Sequence, residues 1–312
     1  MKKKYSFLVL LLCIGNVFSQ LNIKNNIKQT KDHFPQKNVP KGEIKGPYNF
    51  YSKIYKGTVR QYWLFIPAQY NAKKPTSIIV FQDGYRASHP KGSIRAPQVL
   101  ENLIAKKEIP VSIGIFISPG NVSKEYPKDI GWSNPNHRAE EYDALDKKYG
   151  KFIVDELLPE IAKDYNLTND ANQRAICGTS SGAIAAFTVA WHYPDVFKKV
   201  FSGIGSYVSI GFKPNEEPIK LGGQDYPALI RREKAKPLRI YLQDGTNDID
   251  NEWGNWFLAN QQMVKAFEYA NKNTKEEQEK YKIKAVWTDG AHNDKHPGAL
   301  LPEGLKWLFS EE

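Results

Sequence analysis

The chain has 312 residues, 41% of them hydrophobic and 12% aromatic, which is enough to bury the core of one large α/β domain without requiring a second. Its formal charge of +10 includes Lys2, Lys3 and Lys4 at the start and is otherwise spread along the chain, which gives a nucleic-acid partner little support and leaves a mild attraction to acidic polymers. Cysteine occurs only as Cys13 and Cys177, so a disulfide framework is excluded once the first segment is set aside.

Residues Met1 to Ser19 combine a basic start, an apolar run too short to span a bilayer, and small or apolar residues before Gln20, the pattern of a cleaved secretory signal. Cys13 follows three leucines inside that run, which disfavours a lipid-anchored reading, and no later run approaches membrane-spanning length. Residues 20–45 are polar without an apolar period and are expected to form a tether or a surface strap. Residues 46–312 form the expected globular domain. Within it, alternation predicts antiparallel strands over Tyr51 to Tyr55 and Arg60 to Pro67, and the β-branched run Thr76 to Phe81 a strand covered on both faces. A helix over Gln98 to Lys106, a strand over Val111 to Ile117 and a helix over Asp146 to Leu158 follow. Further strands are predicted over Ala175 to Cys177, Lys199 to Ser202, Leu238 to Leu242 and Ile283 to Trp287. Helices over Ala183 to Tyr193, Asn255 to Asn271 and Pro302 to Phe309 complete an alternation that implies a mostly parallel central sheet with helices on both faces.

Gly178-Thr-Ser-Ser-Gly182 is the pattern G-x-S-x-G, set between a short apolar strand and a helix rich in small residues. That context places Ser180 on a tight strand-to-helix turn as a candidate nucleophile, with the backbone N–H of Ser181 directed to where an oxyanion would form. The loop Phe81-Gln-Asp-Gly-Tyr85 supplies a candidate second donor, the N–H of Tyr85. A carboxylate is expected after a later strand, and Asp244, Asp248 and Asp250 compete for it. Asp244 abuts Gly245 and suits a turn, so Asp248 is preferred. His292, after Gly290-Ala291, is the candidate base. His292 and His296 have the spacing of a zinc pair, but no glutamate follows His292, and Gly290 and Pro297 argue against a helix there, so a metal is not expected. His296 is read as a rim residue, and Cys177 as a small buried hydrophobe. Two long connections, Ser118 to Arg138 and Gly203 to Arg232, leave the carboxyl ends of predicted strands and carry Tyr126, Trp132, Tyr207 and Tyr226, expected as aromatic walls of a groove.

These residues resemble the esterase family of α/β-hydrolases that includes enterochelin esterases, esterase D and the feruloyl and acetylxylan esterases of carbohydrate esterase family 1. The resemblance runs from about Tyr51 to Leu308, on Thr58-Val-Arg-Gln-Tyr-Trp63, Val80-Phe-Gln-Asp-Gly84, Glu141-Tyr-Asp143, Glu156-Leu-Leu-Pro159, the Ser180 turn, Asp244-Gly-Thr-Asn-Asp248 and Gly290-Ala-His292. It implies the α/β-hydrolase fold, Ser180 as nucleophile, Asp248 as acid, His292 as base, and no metal or cofactor. Ser181 stands where many such relatives carry methionine or another apolar side chain. The expected activity is two-step hydrolysis of carboxylic esters by an exported, periplasmic or extracellular enzyme, with feruloyl or acetyl groups on glycans as the foremost substrates, and Trp132, Tyr207 and His296 as substrate contacts. Siderophore trilactone hydrolysis, acyl transfer to a sugar hydroxyl, and a non-catalytic glycan-binding module are the alternatives.

Overall fold

A computed structural model describes residues 21–130 and 135–310; the signal-like start, residues 1–19, and Trp132 lie outside the described residues. The chain enters through β1 (Ile23–Lys24), then forms β2 (Glu43–Tyr51) and β3 (Thr58–Ile66). Next come β4 (Ser77–Phe81), α1 (Gly84–Ala87), α2 (Ala96–Ala105), β5 (Ser112–Ile117), the short β6 (Asn121–Val122) and α3 (Arg138–Tyr142). Helix α4 (Lys148–Phe152) passes through a wider π-type turn at Ile153–Leu157 into α5 (Leu158–Ile161). The second half alternates β7 (Arg174–Thr179), α6 (Ser181–His192), β8 (Lys199–Gly203), α7 (Tyr226–Arg232) and β9 (Arg239–Asn247). A hairpin of β10 (Asp250–Asn251) and β11 (Gly254–Asn255) leads into α8 (Trp256–Lys272), β12 (Lys282–Ala291) and α9 (Lys295–Phe309).

The sheet runs in the order β1-β12-β9-β8-β7-β4-β5-β3-β2. Every pairing from β1 to β5 is parallel, and β3 joins β5 and β2 antiparallel. The central strands are apolar on both sides because each face is covered. Ile78, Val80, Ile176, Val200 and Ile240 pack toward α4, α6 and α8, while Ile79, Phe81, Cys177, Phe201 and Tyr241 pack toward α2 and α9. Helix α6 is buried along its length up to Trp191, which fits its run of small and apolar residues around Ala183, Ala185 and Ala186.

Three expectations are corrected. Of Tyr51 to Tyr55 only Tyr51 is in a strand: Glu156 accepts hydrogen bonds from Ser52 Oγ and from the N–H groups of Lys53 and Ile54, so donors that a strand would pair are satisfied by a carboxylate. The first strand of the pair lies earlier, at β2, inside and beyond the stretch read as irregular. Polar residues 20–45 also carry β1, and the segment is fastened by His33 Nε2 to Gly298 O at 2.9 Å and by Asn102 Nδ2 to Asp32 O and Phe34 O, each at 2.9 Å. Finally, α9 starts upstream of Pro297, which is accommodated because a proline in the first helical turn has no N–H to leave unpaired.

Below the sheet's carboxyl edge lies a fully buried ion pair. Arg60 on β3 grips Glu141 on α3 with two bonds, at 2.9 and 3.0 Å, and its guanidinium lies 4.0 Å from the Phe152 ring centroid. Glu141 also accepts from Gly120 N–H and pairs with His137, so α3 and the loop after β5 hang on this carboxylate. Arg60→Met should therefore leave a buried, unpaired charge and cost about 3–5 kcal/mol. Denaturant unfolding checks this, and Arg60→Met combined with Glu141→Gln is expected to recover much of the loss.

Candidate active site

Strand β7 ends against α6 with almost no connecting chain, and Ser180 occupies the junction with a left-handed φ of +58°. A Cβ on Gly178 would lie 2.0 Å from Gly182 O, so the close strand–helix approach requires glycine at 178. Gly182 in turn lets the helix pass the loop after β4, where an added Cβ would stand 3.1 Å from Gln82 Cβ and 3.2 Å from Asp83 Oδ2. Ser180 N–H donates to Gly203 O at 3.0 Å, fastening the strained residue to β8.

From that turn a line of hydrogen bonds runs across the sheet's carboxyl edge. Ser180 Oγ is 2.8 Å from His292 Nε2, and His292 Nδ1 is 2.6 Å from Asp248 Oδ1. The side chain of Asp248 is fully buried and that of His292 nearly so. A histidine with Nδ1 against a carboxylate carries its proton there, which leaves Nε2 as the acceptor facing Ser180. Asp248 Oδ1 also accepts from Ile249 N–H at 2.6 Å.

The competitor Asp244 lies behind Asp248 and does not touch His292. Its Oδ1 accepts from Gly245 N–H at 2.7 Å and its Oδ2 from Asn260 Nδ2 at 2.6 Å. Burial, with the hydrogen bond and charge of Asp248 added, holds the Asp244 carboxyl well above the usual carboxylate range. Asp244 lies next to Asp248, whose buried Oδ2 has no hydrogen-bond partner among the described residues. Asp250, the third candidate, is exposed in β10.

Ser181 opens α6, so its N–H is among the donors a helix leaves unpaired in its first turn. The Tyr85 N–H faces Ser118 Oγ at 3.4 Å, a long contact, because Gly84 is pressed onto the β5 backbone, where a Cβ would fall 2.3 Å from the Phe116 carbonyl carbon. Of the four expected aromatic walls, the three described ones, Tyr126, Tyr207 and Tyr226, are not walls. Tyr207 is 2% exposed, donates or accepts at Ser202 Oγ over 2.9 Å and packs edge-on to Phe187 and Tyr226. Tyr226 and Tyr126 are buried too, since the long connections fold back over the core instead of standing up around a groove. His296 does not face the site either: its Nδ1 meets Thr288 Oγ1 at 2.9 Å and its ring lies against Gly290, bracing the end of β12. Among the described residues no cluster of ligand-type side chains could hold a metal. Burial pushes the Cys177 thiol up, so it stays protonated.

Several residues that sequence reasoning passed over hold the site together. Arg86 after β4 binds Asp294 at 2.9 and 3.1 Å and Thr179 Oγ1 at 3.2 Å, while Thr179 Oγ1 donates to Asp294 at 2.8 Å. This joins the His292 loop to the serine turn. Asp83, the residue before Gly84, takes two bonds from Arg138 at 2.9 and 2.8 Å. Burial alone would push its carboxyl up, but the Arg138 charge and hydrogen bonds hold it below its ordinary value. Ser206 Oγ lies 3.1 Å from Ser180 Oγ and 2.9 Å from Trp256 Nε1, and the Trp256 indole meets the His292 ring edge-on at 5.7 Å. An isolated serine in Gly203-Ile-Gly-Ser206 carries no sequence signal, whereas Trp256 is legible only as part of the helix expected over Asn255 to Asn271.

Residues 57–308 match the family model described as "Putative esterase". Over 156 residues the chain is 26% identical to the uncharacterized protein YbbA of Bacillus subtilis (strain 168), covering 49% of this chain and 59% of YbbA. Among solved structures it is similar to the enterobactin esterase FES of Shigella flexneri in the presence of enterobactin, with a TM-score of 0.63 and 21% identity over 88% of this chain and 60% of that one. It is also similar to the CE1 ferulic acid esterase of the anaerobic fungus Anaeromyces mucronatus, with a TM-score of 0.61 and 16% identity over 91% and 97% of the two chains. The chain thus spans about 60% of the length of YbbA and of the enterobactin esterases it matches.

Asp143, two residues after the Arg60 partner Glu141, offers a pH-dependent test of the site's interior. Burial pushes its carboxyl from 3.8 up to about 6, against the opposing pull of Ser181, Arg138 and Lys220 and with a small push from Asp83. The folded protein therefore keeps a proton that the unfolded chain loses, so this group's contribution falls as pH rises from about 4 to about 6 and is constant above, by on the order of 3 kcal/mol. Asp143→Asn is expected to be more stable than the parent at pH 8, with the advantage shrinking toward pH 4. Thermal unfolding across that range measures it, and a gap independent of pH would refute it.

Proposed function

Because the chain belongs to the esterase family, we propose that it hydrolyses carboxylic esters through an acyl-enzyme on Ser180. The observation that carries this reading is the buried line from Ser180 Oγ to His292 Nε2 to Asp248, at 2.8 and 2.6 Å. His292 takes the Ser180 proton as Oγ attacks the ester carbonyl, and Asp248 stabilises the imidazolium that forms. The Ser181 N–H receives the developing oxyanion, with the more loosely held Tyr85 N–H as second donor. His292 then protonates the leaving alcohol, and water releases the acid by the reverse proton path.

For the substrate, the proposal is an ester carried on a glycan, of the feruloyl or acetyl type, met after export; the ferulic acid esterase that shares the fold along 97% of its own length supports it. A siderophore trilactone is the second reading, supported by the similarity to enterobactin esterases over 88% of this chain. Both use the same three residues.

Two outcomes test this. Ser180→Ala should fold as the parent does and lose at least about 10³-fold in turnover, while Asp248→Asn should lose on the order of 10⁴ in kcat by leaving His292 in the wrong tautomer. Asp244→Asn keeps a donor toward Asp248 and should cost far less; a larger loss there than at Asp248 would reverse the roles. For substrate class, feruloylated and acetylated oligosaccharides, enterobactin and p-nitrophenyl esters are compared by kcat/KM. Sugar esters are expected to exceed alkyl esters of the same acid, and a preference for the trilactone would move the proposal to the second reading.

A further inference from the structure

The proton positions around Ser180 are determined by elimination, and they give Ser206 a part in the reaction. Trp256 Nε1–H can only donate, and at 2.9 Å its acceptor is Ser206 Oγ. That hydroxyl keeps its own proton, and it is fully buried, so the proton must go to a neighbouring acceptor. Ser180 Oγ stands 3.1 Å away. Ser180 cannot be the donor of that pair, since its proton is directed to the bare Nε2 of His292 at 2.8 Å.

Resting on the reading of Ser180 as nucleophile, we propose that Ser206 is a further catalytic residue, donating a hydrogen bond to the nucleophilic oxygen itself from a hydroxyl polarised by Trp256. The chain of donors then has one direction, from the Trp256 indole through Ser206 and Ser180 to His292. When Ser180 Oγ gives its proton to His292 and bonds to the acyl carbon, negative charge builds on Oγ in the transition state and the Ser206 hydrogen bond strengthens. It weakens once Oγ becomes an ester oxygen. In the second step water bonds to the acyl carbon, the C–Oγ bond breaks, and charge returns to Oγ until His292 hands back the proton. Ser206 retains its own proton throughout. Its place is held independently of substrate: Ser206 N–H donates to Ser180 O at 3.3 Å, and Asn260 Nδ2 holds the carbonyl of the preceding Gly205 at 2.8 Å.

The test reads the nucleophile directly, with a fluorophosphonate that phosphonylates an activated serine, beside ester turnover. Labelling of the wild type and not of Ser180→Ala establishes the nucleophile; its absence in the wild type would defeat the catalytic reading itself. Given that labelling, Ser206→Ala is expected to slow phosphonylation and kcat by about 10- to 100-fold with KM within twofold, somewhat less than loss of an oxyanion donor. Trp256→Phe, which keeps a ring against His292, should lose about three- to tenfold, and Ser206→Ala with Trp256→Phe no more than Ser206→Ala alone. Wild-type labelling rates in folded Ser206→Ala, or losses that multiply in the double variant, would reduce Ser206 to a packing residue.

Discussion

The backbone of Ser180 is the constraint from which the candidate site is laid out. A non-glycine residue at φ +58° costs about 1–3 kcal/mol, and it persists only where its surroundings overdetermine it. Here β7 is clamped between β4 and β8, Gly178 and Gly182 allow backbone contact that no side chain would tolerate, and the N–H and carbonyl of Ser180 are both bound. The serine is thereby held at the junction by the sheet, not by its own loop. Everything else at this edge is tied to that point. The His292 loop reaches it through Asp294, Arg86 and Thr179, and the Asp248 loop through Trp256, whose N–H donates to Ile249 O while its indole donates to Ser206.

Buried carboxyl groups around the site illustrate how one residue type takes opposite states. Asp83 is buried against a two-pronged arginine and stays charged; Asp244 is buried against another carboxylate and an amide and stays neutral. Asp143 lies between, with one oxygen that has no hydrogen-bond partner among the described residues. The difference is the charge of the nearest partner, since burial acts on all three in the same direction. Asp244 is pushed up by burial and by the neighbouring Asp248, while Asp248 Oδ1 is the oxygen that meets His292 Nδ1.

Much of the architecture was readable because it rests on local patterns. β-branched runs such as Ser77–Phe81 and the small-residue helix after Ser180 announce a covered parallel sheet whichever sequence surrounds them. The order of serine, aspartate and histidine along the chain pointed to Ser180, Asp248 and His292, which the fold brings into one hydrogen-bonded line. What escaped depends on distant partners. Residues 20–45 look irregular until Asn102 and Gly298 bind their backbone and side chains, and Tyr207, Tyr226 and Tyr126 look like groove residues until their connections fold inward. Ser206 had no signal because its meaning lies in two atoms, Ser180 Oγ and Trp256 Nε1, that belong to other elements.

The two margins of the sheet have a bearing on how the protein behaves in crowded solution. A long parallel sheet exposes, at each border, a ladder of unpaired amides onto which a second molecule can add. At one border β12 is covered by the two-residue β1, whose Lys24 is held by Glu303. At the other, β2 carries Pro47 without an N–H, and its register breaks between Lys45 and Tyr48. One margin is covered by the chain itself at Trp287 and Thr288, and the other is made irregular at Pro47. A two-residue partner strand at one border and a proline-broken register at the other shorten the uninterrupted ladders that a second copy would need.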